Sequence, residues 1–264
     1  MIMERATLEK EIKEILNDTN IQYYVHRIDK VLELYAKDDE TSAIVYNVLG
    51  DEFRRDNDAY GAHDYYLKSV ELFEKLRTES LEMADLYEKL ALSCYCTMLF
   101  DESEDYYKKA LQMKEKLLGE NHPDLAQVYN NFGNMFSYNH NMSTEYHLKA
   151  LSIRQRVFGE NHLITAESYY NLGTAYAKKK DYSKGLNLLN KALAVRIAEQ
   201  GEQHYDVAMV YGHIGGVYYE QEDYAKALEY FTHAYEILKK TVTAKHPDAK
   251  QMKKNIDATK KILA

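Results

Sequence analysis

Four histidines recur at nearly constant spacing in the second half of the sequence, and imidazole is a common ligand of transition metals. They are His122, His162, His204 and His246, at intervals of 40, 42 and 42 residues. A zinc ion needs ligand atoms about 2 Å away, whereas stacked helical repeats lie about 8 to 10 Å apart. We therefore expect these histidines to serve the joints between repeats and not to share a metal ion.

Other residues with reactive or metal-binding side chains also lack the spacing that a catalytic or metal site needs. His140 and His147 are seven apart, without the four-residue spacing and glutamate of a metalloprotease helix, and His147 falls at a core position. We expect Cys94 to be buried and Cys96 to be more exposed, with no histidine partner identifiable for either thiol. The string YGHIGGVYY from Tyr211 is not a phosphate-binding loop. We expect no enzymatic activity, no metal and no cofactor.

The composition indicates a folded, largely helical protein. Of 264 residues, 45% are hydrophobic and 29% charged, while only 2 are proline and 11 glycine. The net charge of −8 argues against nucleic-acid binding, which depends on clustered Lys and Arg. An apolar run of about 18 residues, as a membrane span requires, is absent from the sequence, and we expect no membrane partner. The charged amino terminus lacks a signal peptide's apolar segment, and two helical cysteines two apart cannot form a disulfide, so we expect a cytoplasmic protein.

A repeat organises the sequence. The strings NHPDLAQVYNNFG from Asn121, NHLITAESYYNLG from Asn161 and QHYDVAMVYGHIG from Gln203 are versions of one unit. A first-helix signature of aromatic, aliphatic, small and aromatic positions, at offsets 0, 3, 4 and 7, occurs five times. In one copy Cys94 takes the last position. The copies begin at Tyr46, Tyr87, Tyr129, Tyr169 and Tyr211.

The second helix of each unit repeats a small, large, small pattern. Small residues let two helices approach closely, and the large residue is expected to fill the groove between adjacent hairpins. The large positions are Tyr66, Tyr107, His147, Leu189 and Phe231. Gly119, Gly159 and Gly201 are suited to end helices, and Pro123 and Pro247 to begin them. The third unit is two residues shorter around Ser137 to Met142.

These patterns predict three segments. Residues 1–39 form a degenerate helical hairpin that caps the front, and residues 246–264 form a rear capping helix with Met252, Ile256 and Ile262 facing inward. Five repeats lie between them, at about 40–80, 81–121, 122–161, 162–203 and 204–245.

The signatures resemble those of the tetratricopeptide repeat (TPR) family, and the 42-residue unit with a GENHP joint is similar to the kinesin light chain type. The resemblance covers about residues 40–264. It implies an all-α fold, a TPR α-solenoid in which antiparallel helix pairs form a right-handed superhelix. It also implies that the first helices line a concave groove that binds peptide segments of partner proteins.

The resemblance places the groove residues just inside and after each signature. They are Asn47, Asp51, Arg54, Asp85, Glu88, Tyr95, Gln127, Asn130, Asn131, Asn134, Glu167, Tyr170, Asn171 and Tyr219. Carboxamides both donate and accept hydrogen bonds, so they suit the backbone of an extended peptide. Among these positions four carboxylates accompany the single base Arg54. We therefore expect a neutral or basic partner segment.

The leading hypothesis is a protein- or peptide-binding adaptor or scaffold. One alternative is a regulator that responds to a signalling peptide and acts on a protein effector. Another is a structural role, in which the solenoid self-assembles or is a fragment of a larger protein.

Overall fold

The chain is a succession of antiparallel helices in the computed structural model, which describes residues 5–20, 24–77, 79–242 and 246–264. These residues contain 13 α-helices and no strand, which confirms the predicted all-α class. The helices are α1 (Arg5–Leu16), α2 (Tyr24–Tyr35), α3 (Asp39–Arg55), α4 (Ala59–Lys75), α5 (Leu81–Cys96), α6 (Phe100–Leu118), α7 (Pro123–Met135), α8 (His140–Phe158), α9 (Leu163–Lys178), α10 (Tyr182–Gln200), α11 (Tyr205–Glu220), α12 (Tyr224–Thr241) and α13 (Pro247–Leu263).

The helices belong to two compact units, which we call unit 1 (Met1–Glu120) and unit 2 (Asn121–Ala264). In unit 1, α3 packs against α4 and α5 against α6, and α4 also contacts α5. In unit 2 the pairs are α7 with α8, α9 with α10, and α11 with α12, and each pair contacts the next helix along the chain. Each unit thus stacks its hairpins in chain order, as a solenoid does.

Close approach within a hairpin explains the small and large positions of the repeat. A Cβ atom added to Gly50 would lie 2.5 Å from the ring of Tyr66, and one added to Gly215 would lie 2.8 Å from the ring of Phe231. The large side chain of the second helix therefore packs against the glycine of its own hairpin. Tyr66 also belongs to a buried cluster with Leu86 of the next hairpin, so it contributes to both layers.

The four spaced histidines cap helices, as the sequence predicts for the joints. In each case Nδ1 accepts a hydrogen bond from the backbone N–H two residues on, which satisfies one free donor at the helix start. The caps are His122 to Asp124 at 3.3 Å, His162 to Ile164 at 3.1 Å, His204 to Asp206 at 3.2 Å and His246 to Asp248 at 3.4 Å. The preceding second helices α6, α8 and α10 end at glycines with φ between +81° and +83°.

The shortened third unit has a local consequence. Helix α7 has 13 residues, whereas α5, α9 and α11 each have 16. A short 3-10 turn, Phe136–Tyr138, takes the place of the missing last turn before α8 begins at His140. The two-residue deletion therefore shortens the first helix and leaves α8 at 19 residues.

Buried apolar side chains line the first helices of unit 1 and the last helix of unit 2. Leu8, Ile12 and Val31 of the first two helices share a buried cluster with Val48 of α3. At the other end, Ala249, Met252, Ile256 and Thr259 of α13 are buried. The prediction that Ile262 faces inward is wrong, because its side chain is 48% exposed. The buried stripe of α13 stops at Thr259, and its last turn contains no buried residue.

Candidate functional site

In unit 1, a lysine of α5 holds the predicted groove residues of α3. Nζ of Lys89 donates to Oδ1 of Asn47 at 2.9 Å and to Oδ2 of Asp51 at 2.8 Å. The hydroxyl of Tyr66 donates to Oδ1 of Asp51 at 2.8 Å and accepts from Nε of Arg54 at 3.2 Å. Asn47 is buried in this network. These residues therefore tie α3 to α5.

The carboxylates of α5 are paired with a base from α6. Nζ of Lys114 lies 2.7 Å from Oδ1 of Asp85 and also contacts Glu88. Burial of Lys114 disfavours its charge, but its hydrogen bonds to the two carboxylates outweigh that effect and raise the pKa of the lysine. Farther along α5, the ring of Tyr95 packs edge-to-face against Phe100, with centroids 5.6 Å apart. The acidic groups of this segment are thus neutralised within unit 1.

In unit 2, the structure brings together most of the predicted asparagine cluster. Nδ2 of Asn171 donates to Oδ1 of Asn130 at 2.7 Å, which joins α9 to α7. Asn130 is 2% exposed, so it is part of the packing between first helices. Gln127 donates to Asn131 along α7 at 2.9 Å, and Asn134 is exposed one turn further on. Asn134 is therefore an exposed carboxamide of α7, as is Gln127.

A buried guanidinium lies beneath this cluster. Arg154 of α8 is 3% exposed and donates to Oε1 of Gln127 at 2.9 Å and to Oγ of Ser168 at 3.0 Å. It also donates to the carbonyl of Ile164 at 3.2 Å and lies 3.4 Å from Oε2 of Glu167. Burial lowers the pKa of Arg154, and the charge of Glu167 opposes that shift. One side chain thus connects α7, α8 and α9 and neutralises the acid on the groove side.

Tyr170 lies in the most enclosed aromatic environment of the predicted set. The guanidinium of Arg196 stacks over its ring at 4.8 Å, and the ring of His213 meets it edge-on at 5.0 Å. Arg196 in turn donates to the carbonyl of Asp206 at 3.0 Å. Burial raises the pKa of Tyr170 to about 12, and it lowers the pKa of His213 to about 4 with help from the nearby cations Lys178 and Arg196. Both rings are therefore neutral at pH 7.

One contact recurs between neighbouring first helices within each unit. The residue after the first signature aromatic meets the residue two positions after that aromatic in the next repeat. The pairs are Asn47 with Lys89 in unit 1, and Asn130 with Asn171 and Tyr170 with His213 in unit 2. This recurring contact determines which of the predicted groove residues also take part in the packing between first helices.

A cavity of about 510 Å³ lies among α9, α11 and α13 in unit 2. Met209 and Met252 give it apolar walls, and Gly212 and Gly216 lie where α11 borders it. A Cβ added at Gly216 would meet no atom of the described residues within 4 Å, so the surface is open at this point. Tyr219, predicted for the groove, packs edge-on against Tyr224 at 5.3 Å.

Sequence reasoning missed the bases that neutralise the groove-side acids. Two of them, Lys114 and Arg154, lie four residues after Ala110 and Ala150 and are buried on second helices, and Arg196, which stacks on Tyr170, has the same position after Ala192. Their intervals of 40 and 42 residues match the repeat, which is the signal that could have revealed them. Lys89 on α5 is the third base that pairs with these acids. The predicted set, with four carboxylates and Arg54 as its single base, therefore overstates the negative charge of the folded surface.

Comparisons with known proteins agree with this architecture. No curated protein matches the sequence significantly. Among solved structures, RapI in its apo form is similar with a TM-score of 0.72 and 18% identity, over 97% of this chain and 75% of that one. A Rap protein complexed with competence and sporulation factor gives a TM-score of 0.60 and 17% identity, over 89% and 64%. The TPR-like repeats assigned to a kinesin light chain of Podosopora anserina give 0.66 and 16%, over 74% and 93%.

The similarity to the kinesin light chain repeats, at 16% identity, concerns the fold alone. None of the helices in the described ranges is long and apolar enough to cross a membrane. A model of the tetratricopeptide repeat matches residues 82–141, 138–196 and 175–240, which together span 82–240, or 159 of the 264 residues. This chain belongs to the tetratricopeptide repeat family.

Proposed function

We propose that this protein is a cytoplasmic adaptor that binds a peptide, or an extended segment of a partner protein, along its first helices. The observation that carries the proposal is the cavity of about 510 Å³ among α9, α11 and α13. It is large enough for one or two side chains, and it combines methionine walls with polar groups at its edge. The fold supports binding over catalysis, since TPR solenoids serve generally as scaffolds.

The wall chemistry favours an apolar anchor residue in the ligand. Met209 and Met252 are flexible and polarizable, so they adapt to apolar side chains of different shape. Gly216 leaves room for close approach of a ligand backbone to α11. Thr174 on the same wall, and Asn134 on the exposed face of α7, supply hydrogen-bonding groups. The proposed ligand therefore places one apolar side chain in the cavity and its backbone along carboxamides and hydroxyls.

Charge favours a neutral ligand segment within the predicted neutral or basic range. The groove-side acids are paired with Lys89, Lys114 and Arg154, so they attract a basic segment less than their number suggests. The cavity itself is bordered by Lys178 and Lys180 and by acidic residues of α11 and α13. Charges of both signs at partly exposed positions contribute little net attraction.

A substitution that fills the cavity tests the proposal. In Gly216→Phe the new ring projects into the open space beside α11, whereas Gly216→Ala adds only a methyl group and improves helix propensity. Peptides are selected on the wild-type protein from a random-sequence display library, and their affinities are measured by fluorescence anisotropy. We expect Gly216→Phe to weaken the selected peptides at least about tenfold, with Gly216→Ala close to wild type.

Equal affinity of the selected peptides for all three proteins would reject the cavity as the binding site. Circular dichroism of each variant checks that helicity is unchanged. Asn134→Ala is a second probe, because its side chain is exposed. Asn130→Ala is unsuitable, since Asn130 is buried and bonded to Asn171.

A regulator that responds to a signalling peptide is the second candidate. Its support is the similarity to a Rap protein in complex with competence and sporulation factor, which at 17% identity concerns the fold alone. Small-angle scattering with and without a selected peptide separates the two functions. A decrease in radius of gyration on binding favours the regulator, and an unchanged radius favours the adaptor. A mass that rises with concentration in light scattering would instead favour the self-assembling scaffold.

A further inference from the structure

Three residues with metal-binding side chains meet in unit 1, away from the proposed groove. His63 lies on α4, Cys94 on α5 and Glu102 on α6. One ligand atom of each, an imidazole nitrogen, the thiol sulfur and a carboxylate oxygen, lies within 4.8 Å of the other two. The residues are 31 and 8 positions apart, so only the packing of three helices brings them together.

The surroundings of His63 leave one ring nitrogen without a partner among the described residues. Nδ1 of His63 lies 3.4 Å from Oδ1 of Asp64. A carboxylate at Nδ1 favours the tautomer that carries its proton there, which leaves the lone pair of Nε2 free. Nε2 is buried, and no group of the described residues forms a hydrogen bond with it. A buried nitrogen without a partner is costly, and a bound ion would remove that cost.

The cysteine is buried between its two neighbours, with no exposed surface. Burial, and then the negative charge of Glu102, raise the pKa of Cys94 to about 12, so without a cation the thiol keeps its proton. A divalent ion reverses this balance because it favours the thiolate directly and also neutralises the carboxylate. Glu102 is exposed, which gives the site a route from solvent.

We propose that His63, Cys94 and Glu102 bind a zinc ion through Nε2, Sγ and a carboxylate oxygen, with water as the fourth ligand. Tetrahedral zinc with bonds of about 2.0 to 2.3 Å needs ligand atoms about 3.5 Å apart. The three groups therefore close by about 1 Å, which side-chain rotation of the exposed Glu102 and of His63 supplies. Binding exchanges the thiol proton of Cys94 for the metal and releases that proton to solvent.

The ion would link α4, α5 and α6 within unit 1. The proposal is independent of the peptide-binding function, because the three residues lie outside the set predicted for the groove. It also differs from the site considered for the spaced histidines, whose Nδ1 atoms cap helices.

The full chain, stripped with a chelator and kept reduced without added thiols, is titrated with Zn²⁺ by calorimetry and with Co²⁺ by absorption spectroscopy. We expect one ion per chain, and with Co²⁺ the sulfur-to-cobalt charge-transfer band that indicates thiolate ligation. Glu102→Gln is expected to weaken binding at least about tenfold, because it removes a charged ligand. Glu104→Gln on the same helix is the matched control and retains wild-type affinity.

Cys94→Ser is expected to abolish the cobalt charge-transfer band, whereas Cys96→Ser, at an exposed thiol two residues on, retains it. If Cys94→Ser fails to fold, the band in the wild type and the comparison of the two glutamate variants still decide the proposal. Three results would overturn it: no binding by the wild type, binding without the charge-transfer band, or equal affinity of Glu102→Gln and Glu104→Gln.

Discussion

A buried histidine predicts how the stability of unit 2 changes with pH. His147 of α8 is 3% exposed, and its ring fills the space beside Gly133, where an added Cβ would lie 2.7 Å from Cε1. Its Nδ1 is buried and has no hydrogen-bond partner among the described residues. Burial, and then the positive charges of Arg154 and Lys178, lower the pKa of His147 from 6.5 to about 4.

The sign of the effect follows from the lowered pKa. The unfolded state binds the proton more tightly than the folded state, so the stability is fully present above pH 6.5 and decreases as pH falls towards 4. With these two values, linkage gives a loss of about 2 kcal/mol between about pH 7 and pH 5, and about 3 kcal/mol below pH 4. His213 contributes a second loss with the same sign.

The variant His147→Leu removes the contribution of His147 to the pH dependence and leaves that of His213. Leucine is a suitable replacement because it occupies the corresponding position, Leu189, in the next repeat. Urea unfolding of both proteins is followed by far-ultraviolet circular dichroism at pH 7 and pH 5. At pH 7 the ring is neutral in the folded state and mostly neutral in the unfolded state, so that comparison reports mainly the change in packing. We expect the variant to lose about 2 kcal/mol less than the wild type on acidification. Equal losses in the two proteins would refute the assignment of this pH dependence to His147.

Two further substitutions test the packing of unit 2. Arg154→Ala should destabilise it by about 2 to 4 kcal/mol, since it leaves buried Ser168 without its partner and removes the link to Gln127; the exposed neighbour Arg156→Ala is the control, within about 0.5 kcal/mol of wild type in urea unfolding. Ala192→Leu should overpack a fully buried contact and cost about 1 to 3 kcal/mol, seen as a lower thermal midpoint. A midpoint equal to that of wild type would show that the site relaxes freely.

The sequence predicted the fold well because each repeated position has a local physical role. The spacing of His122 and its equivalents predicted joints, and those histidines cap helices. The position of His147 predicted a core residue, and the ring is buried. The prediction for Ile262 was wrong because helical periodicity indicates which face of a helix is apolar. It does not indicate where along the helix a neighbouring helix stops covering that face.

The candidate groove was less predictable, because exposure at a first-helix position depends on the next repeat. Asn130 is predicted from the resemblance to line the groove, yet it is buried and bonded to Asn171 of the following repeat. Tyr219 is turned towards Tyr224. Which of the predicted groove residues contact a ligand stays a prediction, and the structure identifies Asn134 as an accessible one and Gly216 as an opening beside α11.

The missed bases and the proposed zinc ligands share one physical cause. A repeat signature describes contacts between two helices of a hairpin, whereas Arg154 joins three helices and the set of His63, Cys94 and Glu102 draws one residue from each of three. Such sites depend on residues from neighbouring repeats, so no single repeat contains their pattern. In a solenoid, charge and ligand-binding capacity must therefore be assessed for neighbouring hairpins together. By that measure the acids of the groove side are already paired with bases, whereas the buried Nε2 of His63 still lacks a partner among the described residues.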